Sequence, residues 1–267
     1  VKRIIPGLLL AAGWLLLLMT GSFLLFWAAV VVIGLIGARE YCRMTMPTDL
    51  FESDRIVLIV LMSLPILAAA FARHPAFEQS FGLFLGFCGL IGFIFYHFGR
   101  FSNPLQILYR CVLGVVFIGF LASHLVLLHA LPDGVQWLAI LTAVTAGSDT
   151  AAYLVGSRWG KRKLCPQISP KKTVEGALGG IAGAVVGALL LSLFFPVSWG
   201  WPLILVLAVG LSLVGMAGDL LESAIKRGTG SKDSGHLLAG HGGVLDRIDS
   251  LFLSAPVLYY LLIFSGY

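Results

Sequence analysis

Between residues 4 and 264 the chain is a succession of apolar runs, broken only by short polar or glycine-containing stretches. A helix needs about 20 such residues to cross the hydrocarbon core of a bilayer. Nine runs approach that length: 4–19, 22–38, 56–71, 81–98, 105–130, 135–155, 174–195, 202–225 and 248–264. The runs are continuous rather than alternating, which favours helices over a transmembrane barrel. The expected fold class is all-α: a polytopic integral membrane helical bundle of about nine spans. The thinnest break is Met19-Thr20-Gly21-Ser22, where one long tilted helix is the alternative.

Composition agrees with that class. Of the 267 residues, 58% are hydrophobic and 12% charged, against about 25% charged in ordinary soluble domains. The mean hydropathy is +0.96. A soluble chain of this size cannot hide so much apolar surface, which excludes a soluble enzyme, a disordered tail and a disulfide-rich secreted domain. The net charge of +5 is read as membrane topology and an anionic ligand at a membrane surface, not as nucleic-acid binding. With the N-terminus in the cytoplasm, every Lys and Arg except Arg73 falls on the cytoplasmic side, and the C-terminus lies outside. Lys2-Arg3 before the first run is read as the flank of an uncleaved anchor. No soluble domain is expected. Spans one to five (1–130) form a scaffold. Spans six to nine, with cytoplasmic loops 157–173 and 226–247, form a C-terminal catalytic region (131–267).

Acids inside a bilayer cost about 2.5–3.5 kcal/mol each on insertion scales and need a reason. Asp149, Asp219 and Asp246 sit in or at the ends of late spans, and the first five spans show no comparable acid. Asp219, Glu222 and Lys226 share one helical face, with Ser223 and Arg227 beside it. For Glu222, an i,i+4 ion pair with Lys226 is the plain alternative. The following segment carries Gly228, Gly230, Gly235, Gly240, Gly242 and Gly243 together with Lys232, His241 and Arg247. Glycines let backbone N–H groups approach an anion and cations balance its charge, although no GxxxxGK[ST] frame is present. Asp246 and Asp249 fall at i,i+3 on the opening turn of the last span. Carboxylates without sulfur or paired histidines favour a hard cation such as magnesium. The whole reads as a metal-and-phosphate site at the cytoplasmic face. Pro170, Lys171 and Lys172 stand beside the start of the seventh span, a place suited to an anion.

Other features are read as structural. Gly179, Gly183 and Gly187 repeat every fourth residue on one face, suiting either close internal packing or a homodimer seam. His97, His124 and His129 form no metal-binding pair, and Cys42, Cys88, Cys111 and Cys165 have neither CxxC nor zinc spacing.

The run Ser223, Ile225, Lys226, Arg227, Lys232, Asp233, His241, Gly242, Gly243, Val244, Asp246, Arg247, Ile248 and Asp249 resembles the C-terminal signature of the phosphatidate cytidylyltransferase (CDP-diacylglycerol synthase) family. The spacing matches throughout. Ala239 replaces a usual Pro or Gly, and Ser157 is inserted between Gly156 and Arg158 in a second family-like stretch, 148–180. The N-terminal half is similar only as a hydrophobic bundle. The resemblance implies transfer of the cytidylyl group of CTP to phosphatidate, giving CDP-diacylglycerol and pyrophosphate. It also implies the bacterial inner membrane, with the active site facing the cytoplasm. Combined with the residue reading, it makes Asp219 and Asp246 metal ligands and Asp249 a third ligand or its holder, around magnesium, with a second cation as an option. Lys226, Arg227, Lys232 and Arg247 would hold phosphates, and Lys171 and Lys172 the triphosphate or lipid headgroup. Ser223, Asp233, Gly242 and Gly243 would line the substrate. His241 is a proton carrier, a phosphate donor or a loop strut. A CTP-dependent polyprenol kinase, an archaeal-lipid cytidylyltransferase and an ion-coupled transporter are the rival readings.

Overall fold

The computed structural model describes residues 4–48, 50–71, 79–195, 199–235 and 242–266. Lys2, Arg3 and Arg73, used in the topology argument, lie outside them. In chain order the elements are α1 (Ile4–Thr20), α2 (Phe23–Thr45), α3 (Glu52–Ala68), a 3-10 turn (Ala69–Phe71), α4 (Gln79–Tyr96), α5 (Pro104–Gly114), a π-helical stretch (Val115–Phe120), α6 (Leu121–Ala130), α7 (Gly134–Trp159), β1 (Lys163–Cys165), β2 (Ser169–Thr173), α8 (Val174–Phe194), α9 (Trp201–Gly228) and α10 (Leu245–Phe264). The class is an all-α membrane bundle. Among the described residues, seven helical stretches are long and apolar enough to cross a membrane, and Ser80–Tyr96 is a shorter apolar helix.

The thin break at residues 19–22 does separate two helices. Gly21 has φ of 59°, a left-handed conformation that glycine adopts without strain, and the Ser22 side chain caps α2 by accepting from Leu25 N–H. At its other end α2 outruns its expected limit. It continues past residue 38 to Thr45, burying Glu40, Tyr41 and Cys42. Loop 157–173 also departs from expectation, because it closes as an antiparallel hairpin pairing Lys163 with Thr173 and Cys165 with Ser169.

The chain forms two compact units, residues 1–130 with 231–247, and residues 131–230 with 248–267. The segment 231–247, grouped on sequence with the C-terminal region, thus belongs to the first unit. The core of that unit is built from Phe26, Val30 and Tyr41 of α2, Leu58, Met62 and Ile66 of α3, and Ile118, Ala122 and Val126 further on, all essentially inaccessible. Two hydrogen bonds tie its elements together: Tyr41 OH donates to Arg110 O (2.8 Å) and Trp27 Nε1 to Ile66 O (3.1 Å). Asp54, at the start of α3, pairs with His97 Nε2 (3.3 Å) and Arg100 Nη1 (2.8 Å). His124 Nδ1 bonds Phe120 O (2.8 Å), and His129 stacks on Phe26. These contacts are those of structural histidines.

In the second unit, α7 and α8 pack along small residues. A Cβ on Gly147 would stand 2.6 Å from Gly183 O, and one on Gly187 would stand 2.5 Å from Ala143 O. The Gly179–Gly183–Gly187 stripe therefore serves internal packing. Close backbone approach of this kind favours helix association in lipid, where apolar side chains gain little from leaving the hydrocarbon. Ser148 Oγ and Ser212 Oγ share a hydrogen bond (2.9 Å) that ties α7 to α9.

Candidate functional site

Three acids converge in the second unit. Suitable oxygens of Asp219, Glu222 and Asp249 all lie within 4.8 Å of one another. Asp219 and Glu222 are adjacent on α9 because residues three apart share a helical face. Asp249 joins them because α9 carries glycine where α10 crosses it: a Cβ on Gly218 would stand 2.8 Å from Asp249 O. Ser254 Oγ, donating to Leu211 O (3.4 Å), holds the same two helices together further along.

Two lysines balance this charge. Lys172 Nζ is 2.6 Å from Asp219 Oδ2, and Lys226 Nζ is 2.7 Å from Glu222 Oε2. Glu222 is 1% exposed on its side chain and Asp219 34%, so the cluster runs from a buried end to an accessible one. Ser223 Oγ donates to Asp219 Oδ1 (3.4 Å). Lys172 is brought in by the hairpin. Thr173 caps α8 by accepting from Gly176 N–H (3.1 Å), and Glu175 accepts from the N–H groups of Lys161 (2.9 Å) and Arg162 (3.1 Å). Arg227 Nε donates to Ile168 O (3.2 Å), fastening the hairpin to the end of α9. The donor set of the cluster is carboxylate oxygen alone, which suits a hard divalent cation. Two ammonium groups offset two of its three formal negative charges, so a cation fits electrostatically as well.

The segment 231–247 in the first unit has a different organisation. Asp246 reaches back from the first turn of α10 to accept from Gly243 N–H (2.8 Å) and Ser234 N–H (3.1 Å), as the acid of a capping box does. Gly242 has φ of 78°, and a Cβ on it would stand 2.5 Å from Asp246 Oδ2. The backbone donors that the sequence offers to a phosphate at Gly243 are thus engaged by a protein carboxylate. Buried Glu40 of α2 takes those of Val244 and Leu245.

The residues singled out on sequence therefore fall into two groups. Asp219, Asp249, Lys226, Ser223 and Lys172 come together in the second unit. Lys171 is exposed on β2 and Arg227 is exposed at the end of α9. Lys232, Asp233 and Arg247 are exposed in the first unit, which also holds Asp246, Gly242 and Gly243. His241 and Ala239 lie outside the described residues. Asp149 is exposed on α7. Two residues take places the sequence did not assign. Glu222 is a member of the acidic cluster as well as the ion-pair partner of Lys226. Glu40 lies just past residue 38, where the apolar run of the second span ends, yet it is buried inside α2. The one signal for it was an acid directly followed by Tyr41 and Cys42, both apolar enough to be buried.

Comparison with known proteins bears on the chemistry. The sequence matches the Cytidylyltransferase family over residues 1–265. A phosphatidate cytidylyltransferase of Bacillus subtilis (strain 168) is 32% identical over 262 residues, covering 98% of this chain and 97% of that protein. One from Brucella suis biovar 1 (strain 1330) is 48% identical over 149 residues, 55% of this chain and 54% of the relative. The uncharacterized protein YnbB of Escherichia coli (strain K12) is 39% identical over 198 residues, 70% of this chain and 66% of the relative. The chain thus spans about half the length of the Brucella relative and nearly all of the Bacillus one. With a family match over essentially the whole sequence, the chain belongs to the cytidylyltransferase family.

Proposed function

We propose that the protein transfers the cytidylyl group of CTP to phosphatidate, releasing pyrophosphate and leaving CDP-diacylglycerol in the membrane. The carrying observation is the cluster of Asp219, Glu222 and Asp249, flanked by Lys172 and Lys226, in a chain of this family with the names its relatives bear. An oxygen of the lipid phosphate attacks the α-phosphorus of CTP. A new P–O bond forms, and the bond from the α-phosphorus to the β-phosphate bridging oxygen breaks in line with it. The attacking oxygen is already anionic, so no side chain has to remove a proton.

Asp219, Asp249 and Glu222 would hold a magnesium ion, which supplies charge neutralisation for the triphosphate when bound. Lys172 and Lys226 hold their ammonium groups against the cluster, where they counter its charge. Such fixed charges need little reorganisation during reaction. Ser223 orients the Asp219 carboxylate. Asp246, committed to two backbone N–H groups, shapes the start of α10. Lys171, Arg227, Lys232 and Arg247 are proposed phosphate partners on their spacing in the sequence. The membrane is the bacterial inner membrane and the cluster faces the cytoplasm, a topology resting on the distribution of Lys and Arg.

The test is turnover of purified protein with labelled CTP and phosphatidate, with and without EDTA. Metal-dependent formation of CDP-diacylglycerol and pyrophosphate is the expected result. Label passing instead to a polyprenol as phosphate would replace this reading with a lipid kinase.

A further inference from the structure

Glu40 of α2 is a carboxylate that the proposed chemistry leaves unused. It is 6% exposed. Its oxygens accept from Val244 N–H (3.0 Å), Leu245 N–H (2.9 Å) and the Ser234 hydroxyl (3.2 Å). An ionised carboxylate is costly to bury unless such donors surround it. These donors all come from one segment far away in sequence. Two are backbone N–H groups at the start of α10, where the first turn of a helix has no intrahelical acceptors and its dipole favours a negative charge.

Two glycines of the segment are explained by the same carboxylate. A Cβ on Gly235 would stand 2.6 Å from Glu40 Oε1 and 2.8 Å from its Cδ. A Cβ on Gly243 would meet the Ser234 hydroxyl and Glu40 Oε2. Ser234 is itself bound twice, its hydroxyl to Glu40 and its N–H to Asp246. Residues 234–235 and residues 243–245 thus both pack on Glu40.

We infer that Glu40 is a positioning residue for the transfer reaction, acting through the backbone of 234–235 and 243–245 to set the motif residues Asp233 and Asp246 beside those contacts. The inference rests on the functional reading above. Glu40 binds no substrate in this role.

Glu40→Gln keeps the shape but turns one acceptor into a donor that faces N–H groups. In the full-length protein in detergent, amide hydrogen exchange at Val244 and Leu245 is expected to accelerate about tenfold or more. Exchange in the α7–α8 seam should not change. kcat per folded molecule is expected to fall by a similar factor, with KM for CTP little altered. In a double-mutant cycle, Gly235→Ala lowers kcat in the wild-type background. Glu40→Asp, which draws the carboxylate back, recovers part of that loss. Unchanged exchange and kcat in Glu40→Gln would overturn the inference. So would faster exchange everywhere with normal kcat per folded molecule, or strictly additive effects in the cycle. If the wild type makes no CDP-diacylglycerol, the functional reading fails by itself. Exchange at Val244 and Leu245 then still decides whether Glu40 holds the segment.

Discussion

Asp219 and Glu222 share a helical face yet differ in their surroundings. Asp219 is partly accessible and paired with a lysine from the hairpin, Lys172, whereas Glu222 is buried and paired with Lys226 on its own helix. That contrast separates the consequences of their mutation. Asp219→Asn removes a proposed ligand at the open end. It is expected to lower kcat by about a hundredfold, with weaker Mn2+ binding followed by electron paramagnetic resonance and little change in melting temperature. Full activity would remove Asp219 from the metal site. Lys226→Met strips a buried carboxylate of its ammonium partner, and the expected loss is about 3 kcal/mol of stability, read as a lower melting temperature in detergent. Asp219 and Asp249 were legible in the sequence because an acid in or beside an apolar run is costly. The ion pair of Glu222 was legible from its i,i+4 spacing. Its membership of the cluster was not, because that depends on α10 crossing α9 at Gly218.

Helix ends and helix seams carry the site into place. The hairpin that presents Lys172 is anchored by the cap of α8 at Thr173 and by Glu175, which gathers two N–H groups. Thr173→Ala is expected to cost about 1 kcal/mol and to raise KM for CTP, since Lys172 is the next residue. Unaltered melting and KM would show that the hairpin is held without its cap. The seam of α7 with α8 is more demanding. Gly147→Val has no space against Gly183 O, and overpacking of this kind costs about 1–3 kcal/mol. A lower yield of folded monomer is expected, whereas normal folding with loss of a dimer would move the glycine stripe to an intermolecular interface. The spacing of the glycines announced close packing. It did not name the partner helix, because a small-residue stripe is complementary to any other small-residue stripe.

At the scale of the whole molecule, the expected topology places both polar connections, the 157–173 hairpin and 226–247, on the cytoplasmic side. A single reporter cysteine at Lys163, with the native cysteines replaced, should react with impermeant maleimide in inside-out vesicles and stay protected in intact spheroplasts. The reverse pattern would invert the topology. The membrane-bundle class and the break at Gly21 were readable, whereas α2 runs seven residues past its expected end. Hydrophobicity accumulated over about 20 residues is a local property that bilayer thickness turns directly into structure. The acids and cations of the motif were readable for a related reason, since charge beside lipid is expensive wherever the chain folds. Tertiary structure decided which of them meet. It gathered Asp219, Glu222 and Asp249 across two helices, turned Lys172 onto an acid, and brought Ser234, Val244 and Leu245 onto Glu40 from a distant part of the chain. Those outcomes depend on pairwise complementarity of shape and hydrogen bonding between segments far apart in sequence, and no one-dimensional pattern contains it.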